Sequence, residues 1–191
     1  MAYLLDTNVL ITAKNLYYGI DFCPGFWEWI EHMGSAGTVR SVSKVKDEIT
    51  SGDDDLAEWI ETLPKEFFLQ PQQSDVEAMQ RISGWVAGGS YDQAAVAQFL
   101  QIADYYLCAQ ALGGGHTIVT LETPADGRRR IKIPSVCLAL GISYINTFDM
   151  LRRERVRLVL RQETESGGRQ SSTVRSQNDT HPPTVTDSKA R

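Results

Sequence analysis

The chain has 191 residues, 42% hydrophobic and 23% charged, with a net charge of −5. That is enough for one domain with its own core, or a domain with a tail, and the composition excludes collagen-like, coiled-coil and disulfide-scaffold proteins. No apolar run reaches the roughly 18 residues of a membrane span, and Asp6 interrupts the first apolar stretch too early for a secretory signal.

In chain order, Ala2–Leu5 is a short apolar run and predicts a fully buried strand. Residues 24–33 carry Phe26, Trp27, Trp29, Ile30 and Met33 at helical spacing. A second strand is expected over 38–42, followed by a helix from Ser43, read as its N-cap, through Ile49. Residues 54–62 predict a helix with Leu56, Trp59, Ile60 and Leu63 on one side. Phe67-Phe68-Leu69 is a strand candidate. Helices are expected over 74–87 and 92–112, the second stopped by Gly113-Gly114-Gly115. Thr117–Leu121 is β-branched and predicts a buried strand. Pro134 fits the first turn of a helix to Leu140. Ser143–Asn146 predicts a last strand and 148–160 a last helix. This alternation predicts an α/β domain with a parallel central sheet flanked by helices on both faces. The domain is expected over 1–161. Residues 162–191 contain ten Ser/Thr and no aromatic residue, so a disordered tail is expected there.

The three cysteines, Cys23, Cys108 and Cys137, are scattered and form no CxxC pair, and a reducing, cytoplasmic setting is expected. Charge is uneven. Residues 1–127 hold 6 basic and 18 acidic side chains, whereas residues 128–161 hold 9 basic and 2 acidic. The basic stretch reads either as a solvated helix face or as a patch for an anionic polymer.

Ligands of open parallel sheets bind beyond the carboxyl ends of the strands. Asp6 follows the first strand and Glu122 follows the strand ending in Leu121, which puts both at one rim. Asp104 lies in the nearly uncharged run 94–115, on an apolar arc with Leu100, Leu107 and Ala111. An unpaired carboxylate there is costly, so it needs a cation, a metal or a backbone amide. Glu48 lies in the helix after the second strand. Taken alone it reads as an ordinary surface acid.

These four positions resemble the motifs of PIN-domain ribonucleases, which include VapC-type toxins. Leu4-Leu5-Asp6-Thr7-Asn8-Val9-Leu10 is similar to the first motif and Val45-Lys46-Asp47-Glu48-Ile49 to the second. Ala103-Asp104 is similar to the third. Thr120-Leu121-Glu122 is similar to the fourth, with Glu in place of the usual Asp. Lys132-Ile133-Pro134-Ser135-Val136-Cys137 and Tyr144-Ile145-Asn146 look like a PIN branch long of unknown function. The resemblance covers residues 3 to about 155. It implies a single PIN-like domain and metal-dependent hydrolysis of RNA phosphodiesters. Asp6, Glu48, Asp104 and Glu122 are then the Mg²⁺ or Mn²⁺ ligands, Glu122 through water. The chemistry agrees: these hard ions prefer carboxylate oxygens, and clustered carboxylates repel one another until a cation joins them.

Thr7, Asn8 and Thr120 are placed to orient ligands or phosphate, and Thr7 reads equally as a turn hydroxyl. Arg128, Arg129, Arg130 and Lys132 are placed to meet RNA phosphates, or form a solvated loop. Phe26, Trp27 and Trp29 read as core or a subunit contact in preference to a base-stacking platform. The resemblance further implies an RNA substrate, an antitoxin protein as partner and a homodimer. A non-catalytic binding module on the same fold is the main alternative. An aspartyl-phosphate phosphatase is a remoter one, because the position two after Asp6 is Asn8 and not an acid.

Overall fold

In a computed structural model of the chain, residues 1–125 and 127–159 are described. Residues 1–159 form one compact unit. The boundary expected at 161/162 and the expected disordered tail lie outside the described residues.

The elements run β1 (Tyr3–Leu5), α1 (Thr7–Thr12), α2 (Pro24–Ser35), β2 (Val39–Val42), α3 (Ser43–Thr50), α4 (Asp55–Thr62), β3 (Phe68–Leu69) and α5 (Gln73–Gly88). They continue as α6 (Gln93–Phe99), α7 (Ala103–Gly114), β4 (Thr117–Val119), α8 (Ile133–Leu140), β5 (Ser143–Ile145) and α9 (Thr147–Arg153). A π-helical turn, Ala13–Tyr17, continues α1, and a 3₁₀ turn, Lys65–Phe67, precedes β3.

The five strands are all parallel, in the order β3-β2-β1-β4-β5. The chain moves outward from β1 through β2 to β3, then returns to the other side of β1 for β4 and β5. With the right-handed crossovers that parallel strands adopt, the two directions place their helices on opposite faces. Leu4, Leu5, Ile118 and Val119 are fully buried, which is why the central strands read as continuous apolar runs and not as alternating ones. The core extends through Phe26, Trp27 and Ile30 of α2 and Leu56, Trp59 and Ile60 of α4. Phe26 stacks on Tyr18 at 4.2 Å, and Trp27 Nε1 donates to the Tyr18 carbonyl at 2.6 Å. Trp29 is half-buried against the same core. Cys108 and Cys137 are buried, Cys23 is half-buried, and all three are free thiols.

Several expectations need correction. β4 ends at Val119 and not at Leu121, so Glu122 lies three residues past the strand. The helix expected over 92–112 is two helices, broken at Leu100–Ile102. Ser43 is the first residue of α3 and not its cap; Val42 holds the cap position. The last helix ends at Arg153, well short of 160. The glycine stop stands: Gly115 takes φ +63° just past α7, where a side chain would be strained. Gly113 is required for a different reason. A Cβ there would sit 2.7 Å from Asp75 Oδ1 and 3.0 Å from the Ser74 carbonyl, so the glycine lets α5 and α7 approach. No helix among the described residues is long and apolar enough to cross a membrane.

Candidate active site

The strand order reverses between β1 and β4, and such a switch point leaves a crevice beyond the carboxyl ends of the two strands. β1 pairs with β4 up to Leu5 opposite Val119. The Asp6 N–H donates to the Val119 carbonyl at 3.0 Å, which carries the ladder one residue into the crevice. Asp6 then starts α1, its carbonyl accepting from the Val9 N–H. Register thus fixes Asp6 beside Thr120, and the Thr120 hydroxyl donates to Asp6 Oδ2 at 2.8 Å. The same hydroxyl oxygen accepts from the Glu122 N–H at 3.1 Å. Thr120 therefore links the strand end to the acid, and it is 2% exposed.

Asp104 enters from the other side, in the first turn of α7, which packs on β2, β4, α3, α5 and α8. Asp6 is 1% exposed and Asp104 9%. Burial pushes the Asp6 carboxyl up to about 6; the Thr120 hydroxyl and the Asn8 amide work against that, and the charges of Glu122 and Glu48 add to it. Burial pushes Asp104 up to about 7, reinforced by the charges of Asp6, Glu122 and Glu48 and opposed by Arg130. Asp6 and Asp104 therefore both lie within the fields of Glu48 and Glu122.

They do not play equal parts. Glu48 is exposed at the rim. Its Oε2 accepts from the Thr7 hydroxyl at 2.7 Å and its Oε1 from the Ala103 N–H at 3.0 Å. It so ties the start of α1 to the start of α7. A carboxylate at a helix N-terminus is favourable both as an acceptor for an orphan amide and against the helix dipole. This contact explains the break between α6 and α7, because the cap of α7 comes from 55 residues upstream.

Glu122 has partners of its own. Its Oε1 accepts from Lys132 Nζ at 3.0 Å and from Arg130 at 3.4 Å, and its Oε2 accepts from the Ile133 N–H at 3.0 Å. The side chain is 5% exposed, and it caps α8, whose own cap residue, Lys132, offers no side-chain bond. Among the described residues, Glu122 is the one member of the four with a cation within ion-pair distance. Glu122→Ala is expected to cost about 1–3 kcal/mol, the usual penalty for stranding buried donors, as measured by urea unfolding.

Of the expected phosphate-binding cations, Arg130 and Lys132 are thus turned onto Glu122. Arg128 Nε donates to the Ser90 carbonyl at 2.7 Å, and the Asp92 N–H donates to the Arg128 carbonyl at 3.0 Å, which pins the basic loop to the start of α6. Arg129 makes no ion pair with the other described residues. The structure places Thr7 on Glu48, and leaves Asn8 exposed. His116, a residue with no evident partner in the sequence, accepts the Ala2 N–H on its Nδ1 at 3.0 Å, at the opposite end of the strands.

Among the described residues no three His, Cys, Asp or Glu side chains form a ready-made metal cage. The donor set nonetheless suits a hard divalent ion. Asp6 and Asp104 are a buried pair of like charges with no cation within ion-pair distance among the described residues, and Mg²⁺ characteristically takes one or two carboxylates and keeps several waters.

The fold and site define a class: a five-stranded parallel α/β unit with a buried acidic pair at its switch point. Residues 3–158 match the model of the family described as a domain of unknown function, DUF4411, and the chain belongs to that family. No curated protein and no solved structure matches the chain.

Proposed function

We propose that this protein is a PIN-type, divalent-metal-dependent endoribonuclease. The observation that carries the reading is the pairing of Asp6 and Asp104. Two carboxylates from segments almost a hundred residues apart are both buried and both raised in proton affinity, Asp104 in part by the charge of Asp6. Burying like charges together works against folding, so such a pair is a candidate for function. The strand order and the sequence motifs support the same assignment.

In this proposal Asp6 and Asp104 hold a Mg²⁺ or Mn²⁺ ion, with Glu48 at the open rim. When bound, the ion supplies a more acidic water and neutralises charge on the phosphate. Thr120 fixes the Asp6 carboxylate through the hydrogen bond from its hydroxyl to Oδ2. Glu48, tied to Thr7 and Ala103, holds the starts of α1 and α7 together and so sets the spacing of the pair. Glu122 acts as a positioning residue. It orients Lys132 and Arg130 toward the site, where their remaining N–H groups can meet RNA phosphate. Arg129 adds charge on the same loop. The toxin role, an antitoxin partner and a homodimer are proposed on the sequence resemblance.

The test is hydrolysis of single-stranded RNA with Mg²⁺ or Mn²⁺ present and then chelated. Metal-dependent cleavage by the wild type, absent in Asp6→Asn with circular dichroism unchanged, is the expected result. No cleavage of any RNA, with metal leaving the melting temperature unmoved, would favour the non-catalytic binding module.

A further inference from the structure

A cavity of about 260 Å³ adjoins the acidic crevice. Ala95, Gln98 and Phe99 of α6, Ile102 and the pair Arg130 and Ile131 line it. Ala95, Phe99 and Ile131 are buried and make an apolar floor, whereas Gln98 and Arg130 are exposed at its mouth. Two of its lining residues connect it to the site. Ile102 holds the cap position of α7, two residues before Asp104, and Arg130 is the cation that reaches Glu122.

We propose that this cavity receives the base of a nucleotide next to the phosphate that is cut, an inference that rests on the nuclease reading. Three features support it. The first is size: the space lies below the roughly 300 Å³ at which pockets for drug-sized ligands begin, so it suits one ring system. The second is chemistry. A base is a flat apolar ring with hydrogen-bonding edges, and the cavity offers an apolar floor with a planar amide and a planar guanidinium at its mouth. Arg130 is 66% exposed and spends one long contact on Glu122, which leaves most of its five donors open. The Gln98 amide both donates and accepts, as base edges do.

The third feature is charge. α6 carries no charged side chain from Gln93 to Phe99, while the facing loop carries Arg128, Arg129, Arg130 and Lys132. A strand of RNA is divided in the same way, with phosphates on one side and bases on the other. The Arg128 contacts to Ser90 and Asp92 hold the two walls at a fixed spacing, so the cavity is built before a ligand arrives. An apolar side chain of a protein partner would fill the floor but would leave the amide and guanidinium unanswered.

The experiment uses the full chain and a short RNA cut at one position, in two forms: intact, or with an abasic nucleotide beside the cut. Gln98→Ala is exposed and removes one hydrogen-bonding group, so it is expected to raise KM about fivefold to tenfold on the intact RNA, the value of one net hydrogen bond. With the abasic RNA the variant and the wild type are expected to match. Equal behaviour on the intact RNA, or the same loss on both, would overturn the proposal while leaving the nuclease standing. Should the wild type cut no RNA, the nuclease reading fails by itself. The cavity is then judged by titrating adenosine, cytidine, guanosine and uridine 5′-monophosphates against methyl-labelled protein. Shifts at Ala95, Ile102 and Ile131 support a base site. Their absence overturns it in favour of a protein ligand.

Discussion

Asp104→Asn is expected to abolish RNA cleavage and, in chelator at about pH 8, to raise the melting temperature. The two effects separate a functional acid from a structural one. Asp104 accepts no hydrogen bond from the described protein groups and has no cation within ion-pair distance among them. Its charge is opposed by burial and by three neighbouring carboxylates. Replacing it with a neutral isostere removes that repulsion while keeping the volume, so the core around Leu107 and Ala103 has no cavity to absorb. The catalytic loss should exceed the roughly 10–100-fold seen when a group behind a metal ligand is removed, because in the proposed site Asp104 is itself the ligand. Single-turnover cleavage and calorimetry on the same preparations check both halves. A variant that loses activity and melts well below the wild type would make Asp104 a structural residue and remove the main support for the nuclease.

Much of this site is legible in the sequence because its parts are local. Asp6 closes an apolar strand, and Asp104 is an isolated charge in an uncharged run. Register does the rest, since β1 and β4 must lie side by side if both are buried parallel strands. What the sequence hides is every contact that spans the fold. The break before α7 has no local cap; Glu48 supplies it from α3. Glu122 looks like a fourth ligand by its position, yet the structure puts its carboxylate on Lys132, Arg130 and the Ile133 amide. Those three groups follow it within 11 residues, so a short acid-to-basic spacing before Pro134 was the available signal. α1 has Asp6 at its cap position, but the Asp6 side chain makes no cap hydrogen bond, and helices as short as α1 and the turn at Ala13–Tyr17 are held by packing and not by propensity. The cavity beside the site is invisible for the same reason: its walls come from two segments, residues 95–102 and 130–131, that are distant in the chain.

In chelator, the protein is expected to become more stable as pH falls from about 8 to about 5.5, the reverse of ordinary acid destabilisation. The sign follows from the acidic pair. In the unfolded chain both carboxyls titrate near 3.8, whereas in the folded chain Asp6 is raised to about 6 and Asp104 to about 7. Below the unfolded value both states hold their protons, and the contribution of the pair to stability is fully present. As pH rises through 6 and 7 the folded protein must surrender protons from a buried, repulsive site, and that contribution is lost. The loss is on the order of a few kcal/mol. His116 works in the opposite direction, because burial lowers its proton affinity and protonation at low pH then favours the unfolded chain. One half-buried imidazole is outweighed by two carboxylates, and the comparison that isolates the pair is wild type against Asp104→Asn, in which the pH dependence should flatten. A saturating divalent ion should flatten the profile. At a hundredfold excess over its dissociation constant it adds about 2.7 kcal/mol, most of it near pH 8, since protons compete with it at lower pH. Melting curves across this pH range, with and without Mg²⁺ or Mn²⁺, check the result. A profile that metal leaves unchanged would mean that the pair of acids is not a cation site.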